Sequence, residues 1–146
     1  MLYGDNCTNP ERQTWLGMFM TSGAALQLRS GRLMVVGDVR KKGESGAFNY
    51  AIYSDDGGET WDMGIRGCPV VGNEAKVVEL NNGDVMMNIR GRPYRYLSTS
   101  TNKGLTFSDA VPIPDKIIKL ILKHRDVFWK YGSSSDYEFF VRMYCG

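Results

Sequence analysis

One histidine, three cysteines and a net charge of only +2 among 146 residues remove several kinds of chemistry at the outset. His124 stands alone, so a Ser-His-Asp triad or a histidine metal site has no support. Cys7, Cys68 and Cys145 lie far apart and lack metal-ligand spacing, and an odd number leaves at least one thiol free. Asp55, Asp56 and Gly57 match the start of a calcium loop, but the spacing fails after the first ligands. No metal and no cofactor are therefore expected. No run approaches the roughly 18 apolar residues of a membrane-spanning helix. Met1 to Gln13 is polar, without the apolar core of a signal peptide. The small charge speaks against nucleic acid as a partner. Asn6-Cys7-Thr8 fits a glycosylation sequon, a match short enough to arise by chance.

What is abundant is glycine, 17 residues, in a chain that is 42% hydrophobic. That balance suits short strands, tight turns and a packed core. One phrase occurs twice: Ser54-Asp55-Asp56-Gly57-Gly58-Glu59-Thr60-Trp61 and Ser100-Thr101-Asn102-Lys103-Gly104-Leu105-Thr106-Phe107, 46 residues apart. An Asp or Asn side chain bonds to backbone two residues on, and Gly accepts positive φ without steric cost. The aromatic residue that closes each phrase, Trp61 or Phe107, is expected to be a buried anchor opening the next strand. A period near this length matches one four-stranded propeller blade. The chain therefore holds roughly three blades' worth of sequence, less than a closed propeller of about four to eight blades requires. Either it is a fragment or its end does something else.

Short apolar or β-branched runs predict strands over 15–20, 24–28, 32–36, 48–53, 75–80, 85–90, 94–98 and 110–114. Residues 1–14 read as a loop or cut strand, and 40–46 as a charged surface loop. Asn81-Asn82-Gly83-Asp84 is a strong hairpin signal. If the turn centres on Asn82 and Gly83, facing positions sum to 164 or 165. Glu74 and Arg90 then lie side by side at the open end of the hairpin, within cross-strand reach. On spacing alone, Arg90 reads first as a surface cation pairing with Glu74 or Glu79. Residues 116–130 change character, with five basic residues and one acid. They read as a strand or helix packed on the rest, or as a basic amphipathic helix for a membrane surface or peptide partner.

The repeated phrase resembles the Asp-box of sialidases (neuraminidases), which also occurs in unrelated propellers. Its structural positions would be Ser54, Asp56, Gly58, Thr60 and Trp61, then Ser100, Asn102, Gly104, Thr106 and Phe107. The stretch from Asn73-Glu74-Ala75-Lys76 to Met87-Asn88-Ile89-Arg90 is similar to the sialidase segment that carries a catalytic Glu and, sixteen residues later, a substrate-binding Arg. Ser22-Gly23-Ala24-Ala25-Leu26-Gln27-Leu28 followed by Gly31-Arg32-Leu33 resembles the sequence leading into it. The likeness covers roughly 15–115. Within it the resemblance implies an all-β chain, part of a propeller that is six-bladed in the family. Residues 1–115 would form a partial propeller and 116–146 a divergent tail.

The resemblance further implies an exo-α-sialidase, cutting terminal sialic acid from a sialylated glycoprotein, glycolipid or oligosaccharide. Arg90 would bind the sugar carboxylate, because a planar guanidinium meets a carboxylate with two parallel hydrogen bonds. Glu74 would partner a nucleophilic tyrosine, a neutral phenol that the substrate's own carboxylate does not repel. The family's other two arginines, its acid/base aspartate and its tyrosine match nothing here, so the isolated chain is expected to be inactive. The alternative is a non-catalytic propeller module that binds glycan or protein. Family analogy suggests secretion or a lysosomal or vesicular compartment. Open sheet edges predict self-association.

Overall fold

A computed structural model describes residues 3–21, 25–68 and 70–114. The tail expected over 116–146, its boundary and Cys145 lie outside the described residues. Short apolar and β-branched runs form most of nine strands: β1 (Trp15–Met20), β2 (Leu26–Gln27), β3 (Leu33–Lys41), β4 (Phe48–Ser54), β5 (Asp62–Met63), β6 (Gly72–Glu79), β7 (Val85–Gly91), β8 (Arg95–Ser100) and β9 (Val111–Ile113). They form two antiparallel sheets: β1-β3-β4-β5 with β2 also on β3, and β6-β7-β8-β9. The chain is all-β. The estimate of three blades takes in 115–146, which lie outside the described residues.

Two expectations about element boundaries need correction. Residues 3–14 contain a helical turn, α1 (Pro10–Gln13), because Asn9 caps it and accepts from the amides of Glu11 and Arg12 at 3.0 and 3.4 Å. The loop expected from Arg40 begins later, since β3 pairs with β1 as far as Lys41. Pairing with a neighbouring strand overrides the charge of those two residues.

The sheets meet through one core. Met34, Val36 and Ala51 of the first sheet pack with Ala75, Val85, Met87 and Ile89 of the second, and Phe107 joins them at 2% exposure. A second cluster, Trp15, Val39, Tyr50, Ile52 and Met63, lies on the other face of the first sheet, with Tyr3 packed against it.

Both repeated phrases fold into the same turn. Ser54 Oγ accepts from the Gly58 amide and Ser100 Oγ from the Gly104 amide, each at 2.8 Å. Asp56 and Asn102 accept from the amides of Thr60 and Thr106, each at 2.9 Å. The Thr60 hydroxyl and amide, with Ser54, hold the Asp56 carboxyl far below its usual range. At Gly104 any Cβ would lie 2.5 Å from Met34 Cε, so the second turn sits directly on the first sheet. Arg32 ties the two turns together. It forks onto Asp55 through two bonds of 2.7 Å, donates to the Lys103 carbonyl at 2.9 Å and lies 4.0 Å over the Tyr53 ring.

The two aromatic ends of the phrases differ. Phe107 is buried between the sheets, whereas Trp61 is 37% exposed, with its indole N–H donating to the Gly58 carbonyl at 3.0 Å. The expectation of a buried Trp61 is corrected: no described sheet lies against it as the first sheet lies against Phe107.

Candidate functional site

The β6–β7 hairpin is closed by a three-residue turn. The Gly83 amide donates to the Leu80 carbonyl at 3.0 Å and the Leu80 amide to the Asp84 carbonyl at 2.8 Å. From there the register runs evenly, Glu79 opposite Val85 through Ala75 opposite Ile89, and then shifts before Gly72 opposite Gly91. Asn73 and Glu74 therefore bulge opposite the single residue Arg90. The bulge keeps the acid and base together: Arg90 Nη1 donates to Glu74 Oε2 at 2.8 Å. Glu79 takes no part, since it accepts from the Arg29 amide at 2.8 Å. Both partners are about half exposed, 53% and 48%, so the pair itself contributes little to stability, at most about 1 kcal/mol. It does orient the guanidinium. Nε and Nη2 of Arg90 have no partner among the described residues.

Arg90 lines a cleft of about 600 Å³ between the strand ends of the two sheets, within the range of small-ligand sites. Asn73 lines it too, while Glu74 approaches it through its bond to Arg90. The walls are stitched together across the seam. The Gly72 amide donates to the Ala47 carbonyl at 3.0 Å, and Asn49 Nδ2 donates to the Asn73 carbonyl at 2.6 Å.

Residues that the motifs do not mark also lie here. Asp38 lines the cleft, is 2% exposed, and its Oδ1 has no hydrogen-bond partner. Asn49 stands opposite it in the β3–β4 register, and its Oδ1 is also unpartnered. Burial pushes the Asp38 carboxyl above its ordinary value, against the opposing pull of Arg40. One signal was available for Asp38: it follows Met34 and Val36 at period two, which puts a carboxylate on a core-facing row. Arg40, Lys41 and Arg92 complete a basic lining. Among the described residues, no group of three or more His, Cys, Asp or Glu residues is placed to hold a metal ion.

No protein-family model and no curated protein matches the chain. Solved structures do. The Hadza microbial sialidase Hz136 superposes with a TM-score of 0.61 at 25% identity over 68% of this chain. A variant of the NanB sialidase from Streptococcus pneumoniae gives 0.56 at 25% identity over 67%. The Trypanosoma rangeli sialidase bound to the inhibitor DANA gives 0.59 at 23% identity over 64%, which is a likeness of fold. Another structure of the Trypanosoma rangeli enzyme is a complex with sialic acid. Two blade-like sheets joined face to face with repeated turns define a segment of a β-propeller. The chain is a partial propeller of the sialidase type. It spans 20% of the length of Hz136 and 15% of the other two.

Proposed function

We propose that this chain is a segment of a sialidase-type glycoside hydrolase that removes terminal sialic acid from glycoconjugates. Arg90 receives the sugar carboxylate, and Glu74 is the base partner of a tyrosine nucleophile. The observation that carries this reading is the Arg90 guanidinium, held at one nitrogen by Glu74 and open at the other two on the rim of a cleft. A carboxylate docking on that free edge makes two parallel charge-assisted bonds. The phenol of a tyrosine, with a pKa near 10 in water, needs a neighbouring carboxylate to take its proton as it attacks. Glu74 stands beside the proposed carboxylate site through its 2.8 Å bond to Arg90.

The test separates binding from turnover. The isolated chain is expected to bind N-acetylneuraminic acid weakly in saturation-transfer NMR and to hydrolyse a fluorogenic sialoside no faster than buffer. Arg90→Lys keeps the charge but loses the fork, and should weaken binding about tenfold. Equal binding by wild type and Arg90→Lys would overturn the assignment of Arg90. Steady Glu74-dependent turnover by the chain alone would overturn the view that further residues complete the site.

A further inference from the structure

The cleft holds more positive charge than one carboxylate uses. Four cations line it: Arg40 and Lys41 from the end of β3, Arg90 from β7, and Arg92 just beyond β7. Two are already neutralised, Lys41 by Glu11 at 2.9 Å and Arg90 by Glu74 at 2.8 Å. Arg40 and Arg92 are exposed, and neither makes an ion pair or a side-chain hydrogen bond with a described residue. The two acids in the lining leave the four cations in excess: Asp38 is buried and acts on Arg40 without an ion pair, and Glu44 makes no ion pair among the described residues.

Two exposed guanidiniums without ion-pair partners, lining one cleft from separate sheets, raise its positive potential and attract anions. The seam that holds the two strand ends together keeps them there. Both are arginines, whose planar fork and weak hydration suit sulfate and carboxylate oxygens better than a lysine ammonium does.

We propose that Arg40 and Arg92 form a second anion subsite beside Arg90, so that the preferred ligand is a glycan carrying two anionic groups on neighbouring sugars. The inference rests on the reading of Arg90 as the site of the first carboxylate. The second group is a sulfate ester or the carboxylate of a second sialic acid, and both present oxygens of the same geometry to a guanidinium.

The experiment compares affinities of the 146-residue chain for sialyllactose, its sulfated derivative and disialyllactose, by calorimetry or NMR at low salt. The dianionic ligands should bind about tenfold more tightly than sialyllactose, and the margin should shrink at about 0.5 M salt, where exposed charges are screened. If only one of them gains, that one is the source of the second anion. In the double variant Arg40→Gln, Arg92→Gln the advantage should vanish while sialyllactose binding persists. Equal affinity of wild type for all three ligands would overturn the second subsite and leave Arg90 standing. Binding of none would overturn both. The ligand comparison in wild type keeps the test valid even if the double variant folds poorly.

Discussion

Replacing Phe107 by alanine tests how the two sheets are held together. The ring is 2% exposed and packs in the cluster that joins Met34, Val36 and Ala51 to Val85, Met87 and Ile89. Its removal costs the transfer free energy of the buried ring plus the cavity left between two sheets that cannot close independently. Phe→Ala at such a site costs about 3–5 kcal/mol. For a chain of this size each kcal/mol lowers the melting temperature by roughly 3 °C, so a drop of about 10–15 °C is expected. Trp61 is the internal control, since it ends the same phrase but is 37% exposed. Water fills the space left by Trp61→Ala, so no cavity term arises and the cost falls to about 1–2 kcal/mol. Urea and thermal unfolding followed by circular dichroism give both values. A Trp61→Ala cost equal to or above that of Phe107→Ala would refute the assignment of Phe107 as the joint between the sheets.

The buried carboxyl of Asp38 has a raised pKa in the fold, so its protonated form is favoured and stability declines as pH rises above about 4, its unfolded value. Asp38→Asn should therefore melt higher than wild type at pH 7 and close to it at pH 3; lower melting at both would show that the carboxylate is paired. Asp56 has the opposite sign: its depressed pKa contributes stability above about pH 4 that is lost as pH falls below it. Asp56→Asn should keep the turn, because Asn102 already fills that place in the second phrase and donates to Thr106 Oγ1 at 2.8 Å, and should reduce the acid sensitivity of unfolding. At the edge strand β1, Leu16, Phe19 and Met20 are 65%, 49% and 54% exposed. Phe19→Lys should shift the chain towards monomer in sedimentation while changing stability by no more than about 0.5 kcal/mol; an unchanged sedimentation profile would place association elsewhere.

Local rules made much of the molecule readable. The paired phrases gave away two equivalent turns, because Ser, Asp or Asn, Gly and Thr at fixed offsets satisfy the same backbone groups wherever they occur. The hairpin around Asn82 set a register in which positions sum to 164, and five pairs from Glu79–Val85 to Ala75–Ile89 obey it. It brought Glu74 to Arg90 from spacing alone. Strand positions followed from short apolar and β-branched runs, with β3 running past the charged boundary because its partner strand continued. The likeness to sialidases rested on the same residues.

Long-range packing decided the rest. Nothing in the two phrases says that Phe107 is buried and Trp61 is half-open; that depends on which sheet lies against each turn. The bulge at Asn73 and Glu74 is a shift in pairing that no turn residue announces, yet it sets where Glu74 stands relative to the cleft. The cleft itself joins Asp38 and Arg40 from one sheet to Arg90 and Arg92 from the other, residues some 50 positions apart. Sequence determines which groups each strand end carries. Only the face-to-face packing of the sheets brings those ends together, because burial of apolar area acts between surfaces and not between neighbours in the chain.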